Sequence, residues 1–311
     1  AAHFKNRMKK IVIALLLIVI IAVILVYSFI PSQLTISSSV AIPCPERAAE
    51  RFLGSETGWN KWRNSNTPLA YNDCNFHIIK NMTDIIGIDM QSAGKTITST
   101  INVTPIGSDS SLALWMCRIE TLANPFQKLQ QYFDAQQIQK NMTALLNEAK
   151  TFLQNRDSMY GIHIIETKVT DTVLINTKMS LTHYPETADI YNVITTLKNY
   201  AQQNNAAITG YPMMNVSKQK DTFKLQVALP VNKLLPANGA IVPKQMIPLK
   251  ILVADVTGDA ARVKEALDQM QNYVDDHARE SPAIPFISLI TDRTQEADTS
   301  KWVSKIYYPV L

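Results

Sequence analysis

Leu197-Lys198-Asn199-Tyr200-Ala201 is followed, 73 residues later, by Met270-Gln271-Asn272-Tyr273-Val274. At the same offset Ile190, Val193 and Ile194 stand against Val263, Ala266 and Leu267, and Pro212 against Pro285. Both copies close alike, in Ala228-Leu229-Pro230-Val231 and Tyr307-Tyr308-Pro309-Val310; there the offset is 79, because the second hairpin, 292–301, is longer. Self-similarity of this kind marks a duplicated supersecondary unit. Each copy reads strand, helix, strand, strand. Each helix carries one apolar stripe, so both helices are expected to pack on a common sheet.

Upstream of the repeat the pattern differs. Residues 34–42 alternate like a half-buried strand. Residues 45–53 read as a short helix, with Pro45 suited to its first turn and Ala48, Ala49, Phe52 and Leu53 on one side. Gly58-Trp59-Asn60-Lys61-Trp62 follows, then four strand-like runs at 71–80, 84–90, 95–105 and 112–121, with Gly87, Gly94 and Gly107 in or beside the turns. Asn124-Pro125 opens a long helix, in which Phe126, Leu129, Phe133, Met142, Leu145, Ala149, Phe152 and Leu153 fall mostly at steps of three, four and seven. Asn155-Arg156-Asp157-Ser158 is a polar break before the duplicated unit, and a soluble stretch of roughly 280 residues suits two domains.

The order strand, two small helices, meander, long helix over residues 33–156 resembles the START/SRPBCC superfamily, the helix-grip fold of polyketide cyclases. The resemblance rests on the helix from Pro45 to Phe52, the Trp59/Trp62 pair and Asn124-Pro125-Phe126. It implies a curved sheet wrapped around the long helix, with a cavity for apolar molecules. On that reading Trp59 and Trp62 cover the cavity mouth; the alternative is that they anchor the small helices to the sheet.

The duplicated unit over residues 160–311 resembles the GyrI-like, or AraC effector-binding, domain, through its strand–helix–hairpin repeat, Ile290-Thr291-Asp292, Asp298-Thr299-Ser300-Lys301-Trp302 and Tyr308-Pro309-Val310. The resemblance implies binding of a small molecule, often cationic and amphipathic, in a groove between the two halves. Tyr211, Met213, Met214, Phe286, Ser288 and Tyr307 are the candidate groove residues; core packing is the alternative for each. The family commonly places a glutamate in the penultimate strand, in the pattern Trp-Glu-x-Tyr-x-x-Asp-Pro. Aligned on Asp292, Ile287 stands at that glutamate and Leu289 at the tyrosine. A buried carboxylate offsets a cation's desolvation, so its loss points to a neutral, apolar ligand.

Residues 11–30, IVIALLLIVIIAVILVYSFI, carry no charge and are about 30 Å long as a helix, the thickness of a bilayer's hydrocarbon core. Lys5, Arg7, Lys9 and Lys10 precede the run and nothing charged follows until Glu46. The positive-inside rule then places the N-terminus in the cytoplasm and the domains outside it, as in a protein of the bacterial inner membrane. A cleaved signal peptide is the rival reading, against which stand the length of the run and the poor cleavage site at Ser28-Phe29-Ile30-Pro31. Residues 1–31 are therefore expected to be flank and anchor.

The remainder carries 26 basic and 26 acidic residues. A nucleic-acid binder needs a basic surface, so no nucleic-acid partner is expected. Cys44, Cys74 and Cys117 are far apart, compatible with one disulfide and a thiol or with three buried thiols. No metal site or cofactor is expected: His77, His163, His183 and His277 have no H-x-x-x-H spacing, no G-x-S-x-G, P-loop or G-x-G-x-x-G occurs, and glycines number only nine. Asp255 and Glu265 lie near the second repeat helix without the look of an acid/base pair. Four N-x-S/T triplets, at Asn81, Asn102, Asn141 and Asn215, matter only in a eukaryotic secretory route.

The sequence thus reads as an α+β, single-pass membrane protein with two ligand-binding-type domains. The expected function is non-catalytic binding of a small apolar or amphipathic molecule, as sensor, scavenger or carrier. A hydrolase or cyclase using either pocket, and a structural envelope protein with vestigial pockets, are the alternatives.

Overall fold

The computed structural model describes residues 2–63, 70–72, 74–79, 85–92, 94–169 and 173–311. Asn81, the side chains of Lys5 and Lys9, and the parts of the expected strands at 73, 80 and 84 lie outside the described residues. The chain divides into two compact units, Ala1–Gln154 and Asn155–Leu311.

The first unit begins with α1 (Ala2–Phe29), whose apolar stretch Lys10–Phe29 is long enough to cross a membrane and is not buried. Strand β1 (Gln33–Ile42), helices α2 (Glu46–Leu53) and α3 (Glu56–Arg63), and strands β2 (Ala70–Tyr71), β3 (Cys74–Ile79), β4 (Ile85–Ser92), β5 (Lys95–Gly107) and β6 (Ser110–Glu120) precede the long helix α4 (Pro125–Leu153). The sheet is antiparallel throughout, in the order β1-β6-β5-β4-β3-β2. Alternation in β1 buries Leu34, Ile36 and Ile42, and α4 packs along this strand. Pro45 stands at the N-cap position of α2, one residue before its first turn, and Ala48, Ala49, Phe52 and Leu53 are the buried face, as the spacing requires. Helix α3 closes tightly on α2: a Cβ on Gly58 would stand 2.3 Å from the Phe52 carbonyl oxygen, so only glycine fits there.

Trp59 and Trp62, the candidate rim residues, are buried in the core of the first unit. Trp59 is fully buried, donates its indole N–H to the Leu53 carbonyl at 2.7 Å, and packs within 6.1 Å of the rings of Trp62, Phe76 and Trp115. A ring so enclosed gains its full burial energy and its hydrogen bond only inside. Behind it Trp115 donates to the Ser99 hydroxyl, which donates in turn to the Ile88 carbonyl, while the buried Trp62 indole N–H has no partner.

The single stripe expected on α4 is two stripes. Lys128, Ala135, Ile138, Met142, Leu145, Ala149 and Leu153 are buried, at steps of three, four and seven. Phe126, Leu129 and Phe133 are exposed. Phe133 and Met142 are nine residues apart, about two and a half turns, which puts the two apolar runs on opposite sides of the helix.

The second unit holds α5 (Arg156–Tyr160), β7 (Ile165–Lys168), β8 (Val173–Leu181), α6 (Thr187–Gln203), β9 (Met213–Gln219), β10 (Thr222–Pro230), β11 (Val242–Gln245), β12 (Lys250–Thr257), α7 (Ala260–Asp276), β13 (Phe286–Leu289) and β14 (Val303–Pro309). Its eight strands form an antiparallel sheet in the order β11-β8-β10-β9-β13-β14-β12-β7. Helix α6 packs on β8 and β10, and α7 on β12 and β14. Their apolar stripes are buried: Ile190, Val193, Ile194, Leu197 and Tyr200 on one, Val263, Ala266, Met270 and Tyr273 on the other.

The helices also end alike. Asn205 and Ala278, 73 residues apart, both adopt left-handed φ angles, of 50° and 51°. The amides that follow, of Ala206 and Arg279, each donate at 2.9 Å to the carbonyl five residues back, a Schellman-type closure. The polar break at 155–158 is not a loop: Asn155 caps α5 through the Ser158 amide, and Met159 and Tyr160 are buried, with the Tyr160 hydroxyl 2.9 Å from the Asp276 carboxylate.

Candidate functional site

The pleat of β12 and β14 sorts their side chains between two faces. Ser304, Ile306 and Tyr308 alternate with Lys305 and Tyr307, and the Tyr308 hydroxyl donates to Gln271 of α7. The helices therefore cover the face of Tyr308, and Lys305 and Tyr307 belong to the other. On that other face lies a cavity of about 370 Å³. Its apolar wall is Met213, Ile251, Val253, Phe286 and Tyr307, with Ile165 of β7 and Met246 of the β11–β12 connection also lining it. The rings of Phe286 and Tyr307 stack at 4.9 Å. A smaller cavity of about 70 Å³ shares Met213, Met246 and Phe286 with it and adds Met214 and Lys244.

Register explains which residues meet here. Phe286 pairs with Tyr307, and Tyr307 with Val253; one step along, Lys305 pairs with Asp255. Partners directly across a ladder share a face, so the stacked rings are followed by an ion pair, Lys305 Nζ to Asp255 Oδ1 at 3.3 Å. Lys168 also borders the larger cavity. Three lysines, Lys168, Lys244 and Lys305, thus stand against one carboxylate, Asp255, along the two cavities.

Of the candidate groove residues, Met213, Phe286 and Tyr307 border the larger cavity, and Met214 the smaller. Tyr211 is 53% exposed and Ser288 is buried, and neither borders these cavities. Asp255, Lys305, Val253 and Ile251 were legible only through strand pairing: once Tyr307 faces the groove, period two and the β12 register place all four. Ile165, Lys168 and Met246 come from an edge strand and a connection with no pattern of their own.

Ile287 is turned away from the cavity. It is buried, pairs with Ile306 and Met214, and lies on the helix-covered face. Between Ile287 and Asp292 the strand is irregular: both the Ile290 and Thr291 amides donate to the Val303 carbonyl, at 3.2 and 3.1 Å. This bulge takes up one residue and exchanges the faces.

Glu265 pairs with Arg262 at 2.7 Å, away from Asp255. His163 borders the cavity but holds Asp157 at 2.9 Å, both exposed. No cluster of three potential metal ligands occurs among the described residues. The three cysteines are buried thiols, and burial pushes that of Cys117 up to about 11, which leaves it protonated and unreactive.

No family model matches the chain, and no curated protein matches it. Among solved structures the chain is similar to that of the EcmrR–DNA complex in EcmrR-RPo, at 14% identity over 60% of this chain and 72% of that one, with a TM-score of 0.44. It is similar to the EcmrR C-terminal domain at 11% identity, over 48% of this chain and 98% of that one, TM-score 0.42. A hydrolase from Listeria innocua is similar at 6% identity, over 47% of this chain and 91% of that one, TM-score 0.35.

Proposed function

We propose that this chain is a membrane-anchored, non-catalytic binder of a small apolar or amphipathic molecule, taken up by the second unit. The observation that carries the reading is the cavity of about 370 Å³, walled by Met213, Phe286 and Tyr307 and edged by a few charged groups. Size and chemistry are those of a small-molecule site, mostly apolar with a few polar groups to fix orientation. The lysines along it outnumber the one carboxylate, Asp255, which is already paired with Lys305, and this disfavours an organic cation. The second unit is read as a duplicated domain of GyrI-like, effector-binding type, and the first as a helix-grip domain. Helix α1 spans the membrane with its basic flank inside, and the balanced charge of the remainder supports an absence of nucleic-acid partners.

Native mass spectrometry of residues 32–311 tests the reading. Purified gently, the protein carries a small molecule that leaves on denaturation; a Phe286→Ala variant carries less. A cavity empty in every preparation, with no uptake of added apolar compounds, would refute it. For the orientation, alkaline phosphatase fused to Leu311 is expected to be active, and an inactive fusion would reverse the topology.

A further inference from the structure

We propose that the first turns of α4, with Phe126, Leu129 and Phe133 on one face, lie in the interfacial layer of the bilayer as a second membrane contact. The inference rests on the reading of α1 as a membrane span. It starts from the change of face along α4: the buried stripe passes through Lys128, Ala135 and Ile138, whereas Phe126, Leu129 and Phe133 stand 80%, 39% and 59% exposed on the opposite side. Three large apolar side chains at steps of three and four form a helix face, which water alone does not favour.

Position says what covers that face. Helix α1 packs on α4, and Val23 and Val26 are half-buried and Ile30 buried, again at steps of three and four. The Tyr27 hydroxyl donates to the Ala123 carbonyl, just before α4, and the Lys128 ammonium lies 5.0 Å from the Tyr27 ring centroid. The start of α4 therefore runs beside the last two turns of α1. An apolar run from Lys10 to Phe29, about 30 Å long, has only its ends at the bilayer surfaces. Whatever lies beside Val23–Tyr27 is then at headgroup depth or below, where an amphipathic helix keeps its apolar face in the acyl boundary. Charge agrees: no Asp or Glu occurs between Glu120 and Asp134.

The test uses the full chain in lipid nanodiscs, with a nitroxide at Phe126→Cys or Phe133→Cys. The native thiols are buried, and the unsubstituted protein serves as the labelling blank. Collision with oxygen, which concentrates in lipid, is compared with collision with a water-soluble nickel chelate. Leu16→Cys in α1 and Lys140→Cys on the exposed side of α4 are the references. The oxygen-to-nickel ratio at 126 and 133 is expected to lie several-fold above that at 140 and on the side of Leu16. Ratios at 126 and 133 equal to that at 140, with Leu16 in lipid, would overturn the inference and leave the span standing. A water-exposed Leu16 would overturn the span itself. Shielding of 126 and 133 from both reagents would also overturn the inference, since a protein partner and not lipid would cover the face.

Discussion

Phe286 and Ile287 are neighbours with opposite assignments, and the difference is one residue of register. Phe286 stacks on Tyr307 in the cavity wall, while Ile287 packs against Ile306 under the helices. The sequence contained the apolar residues but not the bulge at Ile290-Thr291, because a bulge is decided by which carbonyl an amide reaches and not by composition. The same limit hid Lys305 and Asp255, which meet only through cross-strand pairing. The substitution Ile287→Glu is expected to destabilise the second unit by about 2–4 kcal/mol, as an unpaired carboxylate enters the core, and to give no affinity for cations. Thermal melting and titration with a lipophilic cation check both halves. An undiminished melting temperature with new cation binding would place Ile287 in the groove after all.

At the scale of elements, the duplicated helices were legible because each stripe keeps one period from end to end. Helix α4 was misread because its apolar residues count correctly within each run but not across Phe133 to Met142. The helix ends offer a test. Ala278 sits in the left-handed region at φ 51°, where a Cβ is strained. Ala278→Gly relieves that strain at some cost in chain entropy, so a gain of about 0.5–1 kcal/mol is expected in denaturant melts; a loss would mean that the turn is shaped by other contacts.

The edge strand β7 is tied by Glu166, which lies 3.0 Å from Lys250 and also pairs with Arg279. The hydrogen bond from Arg279, then that from Lys250, holds the Glu166 carboxyl below its ordinary value. A lowered folded value means that the contribution is full above the unfolded carboxyl's titration and is lost as pH falls through the folded one. Both partners are partly exposed, so the effect is expected to be small. Glu166→Gln should therefore melt slightly lower at neutral pH, and the gap should close on acidification. A gap that widens in acid would contradict the assignment.

For the whole molecule, the sequence placed the apolar helix and the α+β class. It missed that residues 156–160 form a helix of the second unit, with Met159 and Tyr160 buried, because five residues are too few to show a period. Trp59 and Trp62 were visible as a pair, but only tertiary packing with Phe76 and Trp115 settles that they fill the first unit's core.

The central claim is that the second unit takes an apolar or amphipathic molecule without net positive charge between Met213, Phe286 and Tyr307. Calorimetric titration of residues 32–311 with a neutral amphiphile and with a lipophilic cation of matched size tests it most directly. Saturable binding of the neutral compound is expected, weakened in Phe286→Ala by about 1–3 kcal/mol as the ring's apolar contact is lost, with the cation bound more weakly by both proteins. Tighter binding of the cation than of the neutral compound, or binding untouched by Phe286→Ala, would contradict it.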